Sequence, residues 1–389
     1  MKIVVDQNVT DAENTFARHG EIIRVDGRKL KREQLTTADA LIIRTVTKVN
    51  AALLDNTPVG FVGSASIGTD HMDIPWLEKS GINWANAPGC NADSAAQYTL
   101  AMIWLACERL GYTLTELSVG VIGRGNVGSR VEKLLTTMAA TVVANDPPLA
   151  DRGETGLVSL DEALAQDIVC LHVPLTRDGP YPTWRFIDRQ ALARMPDGAL
   201  LLNAGRGDVV DGDALLPELQ SGRLQAALDV WPGEPFVDGR LLDKTVVATP
   251  HVAGYSSDGR RNGTLMVYRA FCDWAEETPV TITDTPGELP GLTIRQADNA
   301  VSKALDAACF VSEHDQAMRK LTRLPVEQRA VEFDGLRRNY PVRRDFHAWQ
   351  ISCKQLDPVN LLRRLGFSVI TPAKSSEASV TSNPARLLP

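Results

Sequence analysis

Residues 119–146 read VGVIGRGNVGSRVEKLLTTMAATVVAND, and this stretch decides the fold. An apolar run, Val119 to Ile122, enters the glycine pattern Gly123-Arg-Gly125-Asn126-Val127-Gly128. A helical pattern follows (Val127, Val131, Leu134, Leu135, Met138), then a second apolar run that ends at Asp146. Strand, glycine turn, helix, strand and acid make one βαβ unit of the dinucleotide-binding kind. Each glycine has a task there. Gly123 permits the tight turn, Gly125 lets the backbone approach a pyrophosphate, and Gly128 lets helix and strand pack closely. The helix start offers free N–H groups and a positive dipole end to that anion. Asp146 stands where a carboxylate accepts ribose hydroxyls and repels a 2′-phosphate, which favours NAD over NADP.

Before this unit, Ile3–Val5, Glu21–Val25, Ala40–Ile43, Phe61–Gly63 and Ile82–Trp84 read as strands. Asp11–His19 and Ile74–Lys79 between them read as helices. Two loops follow strands: Arg44-Thr45-Val-Thr-Lys48, and Ser64-Ala-Ser66-Ile-Gly-Thr-Asp-His71. Ligands of open α/β sheets sit beyond the carboxyl ends of strands. Hydroxyls, an Arg and a Lys in that place suit a polyhydroxylated anion, with Arg44 and Lys48 as candidates for a phosphate. Taken singly, each fits a solvated loop equally well. Asn91-Ala-Asp-Ser94 reads as the cap of a long helix to about Leu110, so apolar that it must be buried, between domains or in an interface.

After Asp146 the alternation continues. Asp167–Val173, Gly198–Asn203, Gln225–Trp231 and Val246–His251 read as buried strands, each ending in a short polar loop. A helical stretch from about Ser256 to Glu277 returns the chain, in a position to pack on the first sheet. Beyond Pro279 the character changes. A proline-rich connector (Asp284 to Gly291) leads to a helical segment, Gln296 to Arg319, with Ala330–Phe333 and Ala348–Ser352 as further strands. Arg337, Arg338, Arg343 and Arg344 form a basic cluster, read as a solvated or interface face ahead of an anion site. Ser375 to Pro389 has the composition of a mobile tail.

At 389 residues the chain has room for two or three domains. A net charge of −7 argues against binding nucleic acid or an anionic membrane surface. Six scattered cysteines without CxxC spacing argue for reduced thiols and against a metal site. The longest apolar run is too short to span a bilayer, and the N-terminus goes straight into a strand, so a cytoplasmic enzyme is expected.

Three strand-end residues stand together in this pattern: Arg206, Glu234 and His251. Beside a nicotinamide, an imidazole takes a hydroxyl proton, a carboxylate stabilises the imidazolium, and a guanidinium grips a substrate carboxylate. The series glycine fingerprint–Asp146, Asn203-Ala-Gly-Arg206-Gly, Asp229-Val-Trp-Pro-Gly-Glu234-Pro and Thr249-Pro-His251-Val-Ala-Gly254-Tyr255 resembles the D-isomer-specific 2-hydroxyacid dehydrogenases over residues 1–280. The resemblance implies an NAD-dependent oxidation of a small phosphorylated hydroxy acid. His251 is then the acid/base, Glu234 its partner and Arg206 the carboxylate clamp. It places Thr45, Ser66 and Tyr255 on the substrate. Gly123, Gly125, Asn126, Val127, Gly128, Asp146, Val173, Asp229 and Gly254 fall on the cofactor. Three positions depart from the pattern. Thr45 replaces a serine and Ser66 a threonine, which keeps both hydroxyls, whereas Val173 replaces a threonine and loses one.

The expected fold class is α/β: two Rossmann-like parallel-sheet domains and a C-terminal α+β domain, which the resemblance implies is a dimerisation domain. The divisions are a substrate-binding domain of residues 1–93 with 256–280, an NAD-binding domain of 94–255, a homodimer-forming domain of 281–374, and the tail from 375. Alternatives within the family act on phosphoglycerate, glyoxylate or hydroxypyruvate. An alternative outside catalysis is an NAD-responsive binding scaffold.

Overall fold

A computed structural model of the chain describes residues 1–282, 289–294, 299–353 and 356–370. The first sheet holds β1 (Lys2–Asp6), β2 (Glu21–Val25), β3 (Ala40–Ile43), β4 (Phe61–Ser64) and β5 (Asn83–Ala85), in the order β2-β1-β3-β4-β5. All its pairings are parallel. The second holds β6 (Ser118–Ile122), β7 (Thr141–Asn145), β8 (Ile168–Leu171), β9 (Leu200–Asn203), β10 (Gln225–Leu228) and β11 (Val247–Ala248), in the order β11-β10-β9-β8-β6-β7, also wholly parallel. Covered on both faces, such strands are apolar throughout rather than alternating. Every residue of β3, β8 and β9 is buried.

Beyond β7 a single parallel bridge, Ala144 to Leu157, stands where a further strand would pair. Counting it, the sheet runs in the dinucleotide-binding order, with the direction of winding reversing between β6 and β8. That reversal opens the crevice in which the glycine turn lies.

Helix Ser257–Trp274 leaves the second sheet and packs on the first. Val267 lies where a Cβ on Gly63 of β4 would stand, 2.2 Å from its Cγ1, so only glycine admits the helix. Phe271 meets Phe16 and Phe61 at ring distances of 5.4 and 5.8 Å. Helix Ala92–Leu110 has twelve of its nineteen residues buried, which settles its place inside the chain, against the second sheet and the C-terminal helices. Its N-terminal cap departs from expectation. Asn91 makes no side-chain cap; its Nδ2 donates instead to the Gly254 carbonyl at 3.0 Å.

The C-terminal sheet is β12 (Gly291–Ile294), β13 (Gln350–Cys353) and β14 (Ser368–Ile370), again parallel. The expected helical segment is split at Phe310, whose φ of 57° divides Ala300–Cys309 from Val311–Leu321. The strand expected at Ala330–Phe333 is instead part of helix Val326–Arg338. Four residues do not separate the two periods, and here Arg329, Ala330 and Phe333 share one buried helical face. The connector at 283–288 and the tail expected from 375 lie outside the described residues.

Candidate active site

The glycine turn behaves as three different glycines. Gly123 has φ 91°, and a Cβ there would meet the His172–Val173 backbone at 2.9 Å. A Cβ on Gly128 would stand 1.9 Å from the Gly123 carbonyl, so the helix Gly128–Thr137 docks on the turn only through glycine. Around Gly125 a Cβ would meet nothing within 4 Å. Gly125 and Asn126 are exposed, and the N–H groups of Asn126 and Val127 have no acceptor among the described residues. An open cradle of unpaired donors at a helix start fits a dinucleotide pyrophosphate.

Asp146, at the end of β7, accepts from the Arg124 N–H at 2.9 Å and the Leu149 N–H at 3.0 Å, which fixes it beside the turn. The Arg124 side chain is held by Glu132 and Glu154 at 2.6 and 2.9 Å. The Arg124 cation beside Asp146 is thereby neutralised, in keeping with a cofactor that has no 2′-phosphate. Across the crevice Val173 presents methyl groups to Gly123. Next to it His172, unremarked in the sequence, has both ring nitrogens buried without a partner, and burial pulls its pKa down to about 4.

Arg206, Glu234 and His251 leave three adjacent strands. The ladder runs past the strand ends: Asp229 N–H donates to the Asn203 carbonyl at 2.9 Å, and His251 N–H to the Asp229 carbonyl at 2.7 Å. The Arg206 loop is tied to the Glu234 loop by Gly233 N–H on Asp208, at 3.0 Å. His251 Nδ1 is hydrogen-bonded to Glu234 Oε1, and Glu234 Oε2 accepts from the Trp231 N–H at 3.1 Å. Burial pushes the Glu234 carboxyl up, but the His251 bond and charge, the Trp231 N–H and the Arg337 charge outweigh it and hold it below its ordinary value. Arg206 is exposed, and among the described residues its side chain makes one bond, to the Gly205 carbonyl at 2.9 Å, which leaves its other donors for a ligand.

His251 sits at φ 58°, in the left-handed region. Such a conformation persists only when its surroundings over-determine it. Here Asp229, 1% exposed, accepts from Thr249 Oγ1 at 2.6 Å and from the Val252 and Ala253 N–H groups at 2.9 Å each. Both Asp229 oxygens are therefore engaged within the protein, and the Gly254 carbonyl is taken by Asn91. Both expected cofactor positions also shape the turn that carries His251.

On the first sheet, Arg44, Thr45 and Lys48 follow β3 and Ser66 follows the neighbouring β4. Arg44 is not a free cation: its Nε lies 3.4 Å from buried Asp6, and its Nη groups have no hydrogen-bond partner among the described residues. Lys48 and Thr45 are exposed. Ser66 Oγ bonds Ser64 Oγ at 2.7 Å, which in turn bonds His71 Nε2 at 3.0 Å, a relay that sequence reading missed. Tyr255 comes two residues ahead of helix Ser257–Trp274, which packs on this sheet.

The NAD-binding domain model of the D-isomer-specific 2-hydroxyacid dehydrogenases matches residues 91–253. An erythronate-4-phosphate dehydrogenase of Teredinibacter turnerae is 43% identical over 95% of this chain and 99% of its own length. The chain belongs to the D-isomer-specific 2-hydroxyacid dehydrogenase family. As a member it is an NAD-dependent dehydrogenase. An Escherichia coli protein of the same name as the Teredinibacter one is 40% identical over the same shares. The solved D-lactate dehydrogenase of Aquifex aeolicus, complexed with NAD and lactic acid, aligns with a TM-score of 0.58 at 25% identity, over 70% of this chain and 95% of that one. Residues 289–366 match a domain of unknown function (DUF3410), which this 2-hydroxyacid dehydrogenase carries beyond the two sheets. Among the described residues no group of His, Cys, Asp or Glu is placed to hold a metal, and no helix is long and apolar enough to cross a membrane.

Proposed function

We propose that the chain oxidises 4-phospho-D-erythronate to 2-oxo-3-hydroxy-4-phosphobutanoate with NAD, a step towards pyridoxal 5′-phosphate. The observation that carries the reading is the His251–Glu234 pair at a strand-end rim beside Arg206, in a chain alike from end to end to relatives named for that substrate. Glu234 occupies Nδ1 of His251, so Nε2 is the nitrogen left to take the C2 hydroxyl proton. As the imidazolium forms, the ionised Glu234 carboxylate stabilises it. The outward donors of Arg206 grip the substrate carboxylate and polarise the developing carbonyl. Thr45, Ser66 and Tyr255 meet the hydroxyls, while Lys48 and the Nη groups of Arg44 take the phosphate. NAD, held by the Gly123–Gly128 turn and Asp146, supplies the hydride acceptor.

In this reading residues 1–93 with 256–280 bind substrate, 94–255 bind NAD, and 281–374 join two cytoplasmic copies into a homodimer. The exposed apolar side chains Val326, Val331 and Val342 support the last point. The test is NADH formation from 4-phosphoerythronate, with 3-phosphoglycerate and glycolate as controls. Turnover of 3-phosphoglycerate in preference would assign the chain to another substrate.

A further inference from the structure

The turn that carries His251 and Tyr255 is wired on two sides. From below, the Asp229 carboxylate takes the N–H groups of Val252 and Ala253. From above, the carbonyls of the same turn are taken by a cation of the C-terminal unit. Arg343 Nη2 donates to the Ala253 carbonyl at 2.7 Å and Nε to the Tyr255 carbonyl at 2.8 Å. The same guanidinium reaches the Ser94 carbonyl at 3.1 Å, stacks over the Tyr98 ring at 5.1 Å, and is 1% exposed. The Arg343 carbonyl in turn accepts the Ser257 N–H at 2.9 Å, where the next helix starts. Beside it Arg344 clasps Asp258 at 2.9 Å, and the Tyr340 ring meets Tyr255 edge-on at 5.6 Å.

A buried guanidinium whose donors go to backbone carbonyls is costly to desolvate. It is found where those carbonyls must be held, because the planar fork fixes direction as well as distance. An anion on the N–H side and a cation on the carbonyl side align the peptide dipoles between them. The turn so held begins directly after His251, the non-glycine residue at positive φ.

We infer that Arg343, with Tyr340 packed on Tyr255, is a positioning residue for the catalytic turn: the C-terminal unit completes the active site from outside the two sheets. The inference rests on His251 being the acid/base of the reaction proposed above. The guanidinium touches neither substrate nor cofactor; it acts through the backbone of residues 253–255.

The experiment uses the full chain with Arg343→Met and Arg343→Lys, assayed beside the parent on the acid that the parent oxidises. Two readouts are taken: steady-state kinetics, and amide hydrogen exchange of residues 252–257, which needs no substrate. Arg343→Met is expected to lower kcat at least tenfold while NADH binds as in the parent, and to speed exchange in the turn. Arg343→Lys is expected to recover part of the kcat, since an ammonium still donates to carbonyls. A folded Arg343→Met protein with parental kcat and parental exchange overturns the inference, as does loss of NADH binding in step with kcat. If Arg343→Met does not fold, Tyr340→Leu serves. A raised KM with faster exchange at 255–257 supports the clamp, and parental kinetics and exchange overturn it. A parent inactive on every acid tried counts against the proposed reaction, while the exchange result still judges the clamp.

Discussion

In the proposed reaction His251 and Glu234 divide one task. Because the Glu234 carboxyl lies below its ordinary value, its charge is fully present above the usual glutamate pKa near 4.3 and is lost only as the pH falls through the lowered value. Replacing Glu234 with Gln keeps a hydrogen-bonding group but removes that charge. A hydrogen bond to a charged group contributes about 1.5–3 kcal/mol, so kcat is expected to fall between about tenfold and a hundredfold. Since Glu234 does not titrate there, the ratio of parent to variant rates should stay level from about pH 5 to 8. A pH–rate comparison checks this. A ratio that collapses towards one on mild acidification would mean that Glu234 takes up a proton in the working range.

Among the elements, the glycine turn separates what the fold needs from what the cofactor needs. A methyl group on Gly128 meets the Gly123 carbonyl at 1.9 Å, whereas one on Gly125 meets open space. Gly128→Ala should therefore destabilise the protein without any ligand, by roughly 1–3 kcal/mol as other overpacking changes do. Gly125→Ala should leave the unfolding midpoint in place and weaken NADH binding alone. Thermal unfolding and NADH titration of both variants check the contrast; equal effects on stability would mean that the turn is packed differently. This element was legible in the sequence because its spacing is local, and so was β3, an apolar run bounded by polar loops. What escaped reading is what acts at a distance. Arg343 lies 90 residues from Ala253, and nothing in a basic cluster tells a buried fork from a solvated face. The Ser64–His71 relay and the Asn91 bond to Gly254 escaped for the same reason: a side chain's partner across a fold leaves no period in the chain. Helix Val326–Arg338 was misread because its buried face recurs over a span longer than the four residues that suggested a strand.

For the whole molecule, the C-terminal unit faces two ways. Its inner face meets the second sheet through Phe333 and the turn that carries His251 through Arg343, both buried. Its outer face leaves Val331 and Val342 at 67% and 73% exposure, in a chain of net charge −7 whose solvated surface has little reason to show them. A second copy packed there would remove those side chains from water, at about 25 cal/mol for each Å² of apolar surface covered. Val331→Asp puts a charge into that contact, where desolvation without a partner opposes association. The variant is expected to sediment as a monomer at concentrations where the parent is a dimer. NADH should bind each chain as before, because the Gly123–Gly128 turn and Asp146 belong to one sheet of one chain. A variant that remains dimeric would place the interface on another face, and a parent that is monomeric would leave the two valines without a partner copy.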